Sequence, residues 1–273
     1  MAGAPAFDRA WLANLRAGAI TAPLRPRVSL WAGESVIGSV EADFLYKKCL
    51  QPFINVSHQL LKEEHPKALG WRLMGDVSTS LNQLAKVLHD GGLAGAWRDE
   101  QLAVHDQLDH FKGTVERAAV RPLGIATRAV HLIGQAPDGR FWCQQRAFDK
   151  PNDPGQWDTL MGGMVSSAET VETALARETW EEAGLRVEDL QDTRYGGRLT
   201  TRRPSAEGTG AGYLIEVIEW YRCTVPEGVT PENRDGEVAQ FALMDVADML
   251  EHMQQGSFTM EAALIVADAL QLG

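Results

Sequence analysis

The sequence predicts an α/β protein preceded by a smaller α+β amino-terminal module, and three observations carry that reading. Runs rich in β-branched and aromatic residues at 129–133, 141–145 and 212–221 alternate with helical patterns at 166–184 and 261–272. The first of these helices falls between two strand-forming segments, as a helix covering a sheet does. The charge also changes character near residue 120. Thirteen Lys plus Arg match thirteen Asp plus Glu up to Val120, and from Arg121 thirteen basic residues face twenty-four acidic ones, which accounts for the whole net charge of -11. Two domains, 1–120 and 121–273, follow from this change and suit a length of 273 residues.

Taken in order, residues 1–20 are interrupted by Asp8, Arg9, Asn14 and Arg16. They offer neither a signal-peptide core nor a membrane span, and no later apolar run is long enough for one. Segments 28–31 and 36–40 flank Ala32-Gly33-Glu34-Ser35, the pattern of a hairpin with glycine in its loop. A short helix is expected over 42–50, with Phe44, Leu45 and Cys49 inward, and 57–64 is ambiguous. Thr79 or Ser80 caps a helix whose Leu81, Leu84, Ala85 and Leu88 stand at helical spacing, and Gly91-Gly92 ends it. A second helix is expected over 104–116. Its His105 and His110 read as exposed, because no third ligand has metal-binding spacing.

Pro137-Asp138-Gly139 then turns the chain between the strands at 129–133 and 141–145. The loop 146–158 is dense in Pro and Gly, and loops entering a helix of this kind commonly carry substrate contacts. After the long strand at 212–221, the chain closes on a helix over 261–272 with Ala263, Val266, Ala267 and Leu270 as its apolar stripe.

A composition 44% hydrophobic and 23% charged is that of a soluble globular protein. Cys49, Cys143 and Cys223 are odd in number and widely spaced, which argues for reduced thiols and a cytoplasmic location, without zinc or disulfides. The acidic second half argues against a nucleic-acid partner, and a chelating site fits it better.

That chelating site is written on the stretch 162–185. Ser166 can cap the helix start with Glu169 completing a capping box, and Gly184 supplies a left-handed stop followed by Leu185. Glu178, Glu181 and Glu182 stand at i, i+3 and i+4, so their carboxylates share one face. Like charges so placed destabilise a bare helix, and the arrangement makes sense around a hard cation such as Mg²⁺ or Mn²⁺.

Gly163, five residues, Glu169, seven residues, Arg177-Glu178, two residues, Glu181-Glu182, one residue and Gly184-Leu185 together resemble the signature of the Nudix hydrolases over its 23 residues. One position departs, since Thr179 stands where the family usually has an aliphatic residue facing the core. The resemblance implies an α/β/α sandwich with a mixed sheet. It also implies metal-dependent hydrolysis of a diphosphate, with Glu178, Glu181 and Glu182 as metal ligands and Glu181 or Glu237 as the base. Arg177 pairs in that family with the carboxylate matching Glu169, a role that competes with Glu169 as a capping residue. Gly162 and Gly163 border the substrate, Arg146, Arg198, Arg202 and Arg203 are candidates for its phosphates, and Trp157, Trp142, Phe148 and Tyr213 are candidates for stacking on a heterocycle.

Further strings at 96–100, 116–119, 123–125, 146–158 and 231–238 resemble the group related to the Nudix part of fungal thiamine pyrophosphokinase proteins. They imply a thiamine diphosphate-type substrate, cleaved to its monophosphate. The alternatives are a nucleoside diphosphate linked to another moiety, of the ADP-ribose or NADH type, and a non-catalytic Nudix-fold metabolite sensor, against which the intact Glu178, Glu181 and Glu182 argue. The module 1–120 is expected to narrow substrate choice or cover the pocket mouth, no membrane partner is expected, and a homodimer is compatible with the sequence.

Overall fold

The structure, a computed structural model of the chain, describes residues 8–45, 60–65, 68–207 and 209–272. The chain opens with α1 (Arg9–Ala19), capped by Asp8. β1 (Arg27–Ala32) and β2 (Ser35–Glu41) form the expected hairpin, with Gly33 at positive φ. β3 (Leu60–His65) and β4 (Ala68–Leu73) complete a four-stranded sheet of order β2-β1-β4-β3, in which β1 and β4 run parallel. Of the helix expected over 42–50, residues 46–50 with Cys49 lie outside the described residues, while Phe44 and Leu45 are buried.

α2 (Val77–Asp90) buries Leu81, Leu84, Ala85 and Leu88, as its spacing predicts. Its cap is Asp76 and not Thr79 or Ser80, because the Asp76 carboxylate accepts from both the backbone N–H and the hydroxyl of Thr79. The helix expected over 104–116 is instead a hairpin of β5 (Gln101–His105) and β6 (Phe111–Glu116). Leu102, Val104, Gly113 and Val115 are buried in alternation, a period of two. Asp106 closes the turn by accepting from the N–H groups of Leu108 and His110.

The second half builds a seven-stranded mixed sheet from β7 (Thr127–Gln135), β8 (Phe141–Arg146), β9 (Trp157–Asp158), β10 (Met161–Met164), β11 (Gln191–Ser205), β12 (Gly212–Thr224) and β13 (Val238–Met244). Its main path is β11-β12-β7-β8-β13, with β10 paired to β7 and β9 to β8. Only the β12–β7 pair in it is parallel. α3 (Val171–Ala183) covers one face through Ala174 and Leu175 against Val130, Leu132 and Cys223. α4 (Val246–Gln254) and α5 (Met260–Ala269) cover the other, against Ala129, Ile133, Ile218 and Trp220. The result is the α/β/α sandwich.

The two halves share their packing. Leu12 of α1 belongs to the α4–α5 cluster, and Arg16 donates to the carbonyl of Leu272. Met164 and Ala211 join the core of the first half. Arg27 of β1 donates to the carbonyls of Ser39, Pro122 and Ala211, and burial is the main reason its pKa falls to about 10. No helix among the described residues is long and apolar enough to cross a membrane.

Candidate functional site

α3 is set by its ends. Thr170, and not Ser166, is its cap, and it exchanges hydrogen bonds with Thr173 in a capping box. Glu169 is therefore free for other work. Its Oε2 accepts from the N–H of Ser166 at 3.2 Å and from Arg177 Nη2 at 2.9 Å, while its Oε1 accepts from Arg177 Nε at 2.6 Å. Of the two roles open in the sequence, pairing with Arg177 is the one Glu169 takes, together with a tie to the preceding loop, while the capping box belongs to Thr170 and Thr173. The guanidinium holds the Glu169 carboxyl down to about 2. Gly184 stops the helix at φ 64, as expected, and Thr179 is buried with its hydroxyl donating to the carbonyl of Leu175 at 2.6 Å.

The acidic face then follows. Arg177 Nη1 lies 2.9 Å from Glu178 Oε1 and 2.8 Å from Glu181 Oε2, so a cation already separates these two carboxylates. Glu182 is 2% exposed, and its Oε2 accepts from the backbone N–H of Gly162 at 3.0 Å and from Gln144 Nε2 at 2.9 Å. Burial pushes Glu178 up to about 7 and Glu182 up to about 8, against the opposing pull of Arg177 on the former and of the Gly162 N–H on the latter. Glu178 lies directly against Gly163, where an added Cβ would overlap its carboxyl carbon. Only glycine admits the carboxylate there.

Among the described residues, no three His, Cys, Asp or Glu side chains are placed closely enough to enclose an ion. What fits a divalent ion is the donor chemistry. The acceptors are carboxylate oxygens, which suit Mg²⁺ or Mn²⁺. Glu178 and Glu182 are buried carboxyl groups whose ionised form a cation would favour, and the Gly163 cradle lets Glu178 approach.

Opposite α3, the segment 231–238 is hydrogen-bonded to the end of the helix, through the N–H of Glu232 to the carbonyl of Ala183 at 2.8 Å and the N–H of Arg234 to that of Glu181 at 3.1 Å. This brings Glu237 to the site, where it pairs with Lys150 and the ammonium outweighs burial to lower its pKa. A cavity of about 800 Å³ joins these groups. Its lining includes Arg146, Gly162, Gly163, Arg177, Glu178, Glu181, Glu182, Glu237 and Arg203 of the residues singled out in the sequence.

Others stand elsewhere. Arg198 pairs with Glu219 at 3.0 Å on β11, outside the cavity lining. Trp157 packs into the α4–α5 cluster, with its ring 6.1 Å from that of His252. Trp142, Phe148 and Tyr213 are also absent from the lining, and Tyr213 instead donates its hydroxyl to the carbonyl of Thr21. The strand aromatics here serve packing, Phe148 is exposed on its loop, and no Phe, Tyr or Trp among the described residues lines the cavity.

Sequence reasoning missed several lining residues. His131 stands beside Gly162, with Nδ1 2.9 Å from Thr159 Oγ1 and 3.5 Å from Asp158 Oδ1. Asp158 also faces Arg146 at 3.5 Å. Arg98, Glu100 and Arg117 reach the cavity from the first half, and Arg121, Glu216 and Glu261 from the second. A histidine inside an apolar strand run was the one available signal. The others depend on strand register and on the docking of the first half.

A model of the NUDIX domain matches residues 126–264, just over half of the chain. This chain belongs to the Nudix family. The match runs from the start of β7 into α5, so the Nudix domain holds both faces of the large sheet. Nudix hydrolase 20, chloroplastic, of Arabidopsis thaliana is 28% identical over 208 residues, covering 71% of this chain and 52% of that protein. An uncharacterized protein of Saccharomyces cerevisiae is 24% identical over 209 residues, covering 70% and 60%. The chain thus spans little more than half the length of these relatives, and both alignments are longer than the Nudix domain. The isopentenyl-diphosphate Delta-isomerase of Kocuria rhizophila is 27% identical over 166 residues, covering 58% and 85%. Among solved structures, DR0079 from Deinococcus radiodurans aligns at a TM-score of 0.49 and 21% identity, covering 61% of this chain and 98% of that one.

Proposed function

We propose that this Nudix protein is a divalent-metal-dependent hydrolase that cleaves the diphosphate of a small organic diphosphate, of the thiamine diphosphate type, to the monophosphate. The observation that carries this reading is the placement of Glu178 against Gly163 and of Glu182 on the N–H of Gly162, at the wall of a cavity of about 800 Å³. Glu178, Glu181 and Glu182 would hold Mg²⁺ or Mn²⁺, which when bound neutralises the diphosphate and acidifies a water. Arg177, gripped by Glu169, positions Glu178 and Glu181. Arg146 and Lys150 offer positive charge to the phosphates from the opposite loop. The proton acceptor is Glu181 or Glu237, and the variants Glu181→Gln and Glu237→Gln separate them, because only loss of the base removes the acidic limb of the pH–rate profile.

The finer substrate assignment rests on the two strings at 146–158 and 231–238, both of which contribute to the lining. A lining richer in acidic than in basic side chains also suits a cationic ring over a nucleoside triphosphate. With no aromatic platform among the described residues, recognition of that ring falls to the polar groups of the lining. An isoprenyl chain would find charged walls where it needs apolar ones. The test is phosphate release over a panel under one Mg²⁺ concentration, comparing thiamine diphosphate and its oxidised analogue with ADP-ribose, NADH, isopentenyl diphosphate and nucleoside triphosphates. A nucleotide preferred tenfold, about 1.4 kcal/mol in transition-state binding, overturns the thiamine assignment and leaves the hydrolase. Full turnover in excess EDTA overturns the metal dependence.

A further inference from the structure

On the sheet face away from α3, two ion pairs form the far wall of the cavity. Arg121, just before β7, donates Nη2 to Glu216 Oε1 of β12 at 3.1 Å, and the Thr127 hydroxyl lies 3.3 Å from the same oxygen. Arg203 of β11 donates Nη2 to Glu261 Oε1, in the first turn of α5, at 2.7 Å. The Arg121 and Glu216 side chains are each 13% exposed, and those of Arg203 and Glu261 are 29% and 10% exposed. All four line the cavity.

These pairs are unfinished. Each glutamate uses Oε1 for its arginine, and neither Oε2 takes part in those bonds or is among the sealed, unpartnered atoms. The two carboxylates also repel each other, and Glu261 is held above the usual range by burial first, with Glu216 adding to it. A buried ion pair gains little over apolar packing of the same volume. Two such pairs, in which the Glu261 carboxylate also accepts from its own backbone N–H, present carboxylate oxygens not used by the arginines beside guanidinium N–H groups and make a donor–acceptor surface. From Gly163 on β10 across β7 to β12 is two strand spacings, about 10 Å, and Glu216 lies three residues further along the strands, opposite Thr127 where Gly163 is opposite Val130, so the backbone separation is about 14 Å, which the side chains shorten. That is the reach from a diphosphate at α3 to a ring a few bonds beyond it.

We propose that Arg121–Glu216 and Arg203–Glu261 are the subsite for the organic group of the substrate, and that they recognise a nitrogen heterocycle presenting a hydrogen-bond donor beside an acceptor. The glutamate Oε2 atoms accept from N–H on the ring or its substituent, and the guanidinium groups donate to a ring nitrogen or carbonyl oxygen. This inference rests on the diphosphate-hydrolase reading of α3 and deepens it.

The test uses the full chain with two readouts. The first is kcat/KM for a heterocyclic diphosphate and for an alkyl diphosphate of similar length. The second is binding of the corresponding heterocyclic alcohol, without phosphate or Mg²⁺, by calorimetry. Glu261→Gln is expected to lower kcat/KM tenfold or more for the heterocyclic ester and less than twofold for the alkyl ester, and to weaken alcohol binding tenfold. Arg203→Lys keeps the charge, loses the planar donors, and is expected to show the same selectivity if Glu261→Gln fails to fold. Equal loss on both esters, or unchanged alcohol binding in both variants, overturns the subsite. If the wild-type chain binds the alcohol but hydrolyses no diphosphate, the reading of α3 fails and the subsite stands.

Discussion

At Gly163 a single methyl group decides where Glu178 can lie. Because a Cβ there would overlap the Glu178 carboxyl carbon, Gly163→Ala is expected to lower kcat by a hundredfold or more, about 3 kcal/mol in the barrier. The carboxylate can rotate away at little cost in stability, so the melting temperature should stay within a few degrees, and a collapse of the fold would show that Gly163 is structural. Glu182→Gln makes the complementary case. The amide retains an oxygen for both the Gly162 N–H and the Gln144 Nε2 donor. It also removes a buried charge. We expect turnover to be abolished while the melting temperature is unchanged or higher, and a variant that unfolds would make the carboxylate structural.

At the scale of α3, the helix is held by a staple before it and a glycine after it. Glu169 carries the staple, and its depressed pKa fixes the sign of a pH effect. Its pairing with Arg177 stabilises the fold fully above the unfolded carboxylate value of about 4.3, and that contribution is lost as pH falls toward the folded value of about 2. Thermal melts should therefore show the wild type losing more stability than Glu169→Gln between pH 5 and pH 2.5, and parallel curves would contradict this. Gly184 closes the other end at φ 64, and a Cβ there would meet the Glu232 carbonyl oxygen at 2.7 Å. Gly184→Ala is expected to cost about 1–3 kcal/mol in urea unfolding, from left-handed strain and displacement of the 231–238 segment. Because that segment carries Glu237, activity should fall with it.

At the scale of the molecule, the two halves are joined by polar contacts as well as by packing. Arg27 satisfies carbonyls on both sides of the division near residue 120, those of Ser39, Pro122 and Ala211. Arg27→Met keeps the apolar stem and leaves these oxygens without a donor, so we expect a loss of about 2–4 kcal/mol in urea unfolding. Faster amide exchange should appear in both β1–β2 and β12, whereas exchange confined to one half would mean that Arg27 serves only local structure. A second tie runs from the N–H of Ser167 to the carbonyl of Gln101 at 2.8 Å. It links β5 to the loop that carries Glu169, and so places the first half in contact with the helix as well as with the cavity.

Much of this was written locally in the chain. The hairpin of β1 and β2, the β7–β8 turn and the stop at Gly184 follow from turn chemistry, which acts over a few residues, while helical spacing puts Glu178, Glu181 and Glu182 on α3 without bringing the three close enough to enclose an ion. The true caps, Asp76 and Thr170, lie four residues from those expected at each helix, or nearly so, because several Ser, Thr and Asp side chains compete for one set of N–H groups. The β5–β6 hairpin read as a helix because its buried positions are few and its turn is built by one aspartate. β11 was not visible in the sequence at all. Its run is polar, and it is a strand because β12 supplies the ladder along its length. The same dependence on register decided the cavity. Which arginines line the cavity, why Trp157 does not, and how Glu216 comes to act on Glu261 are settled by strands distant in sequence, and only burial in the assembled sheet sets their charge and their neighbours.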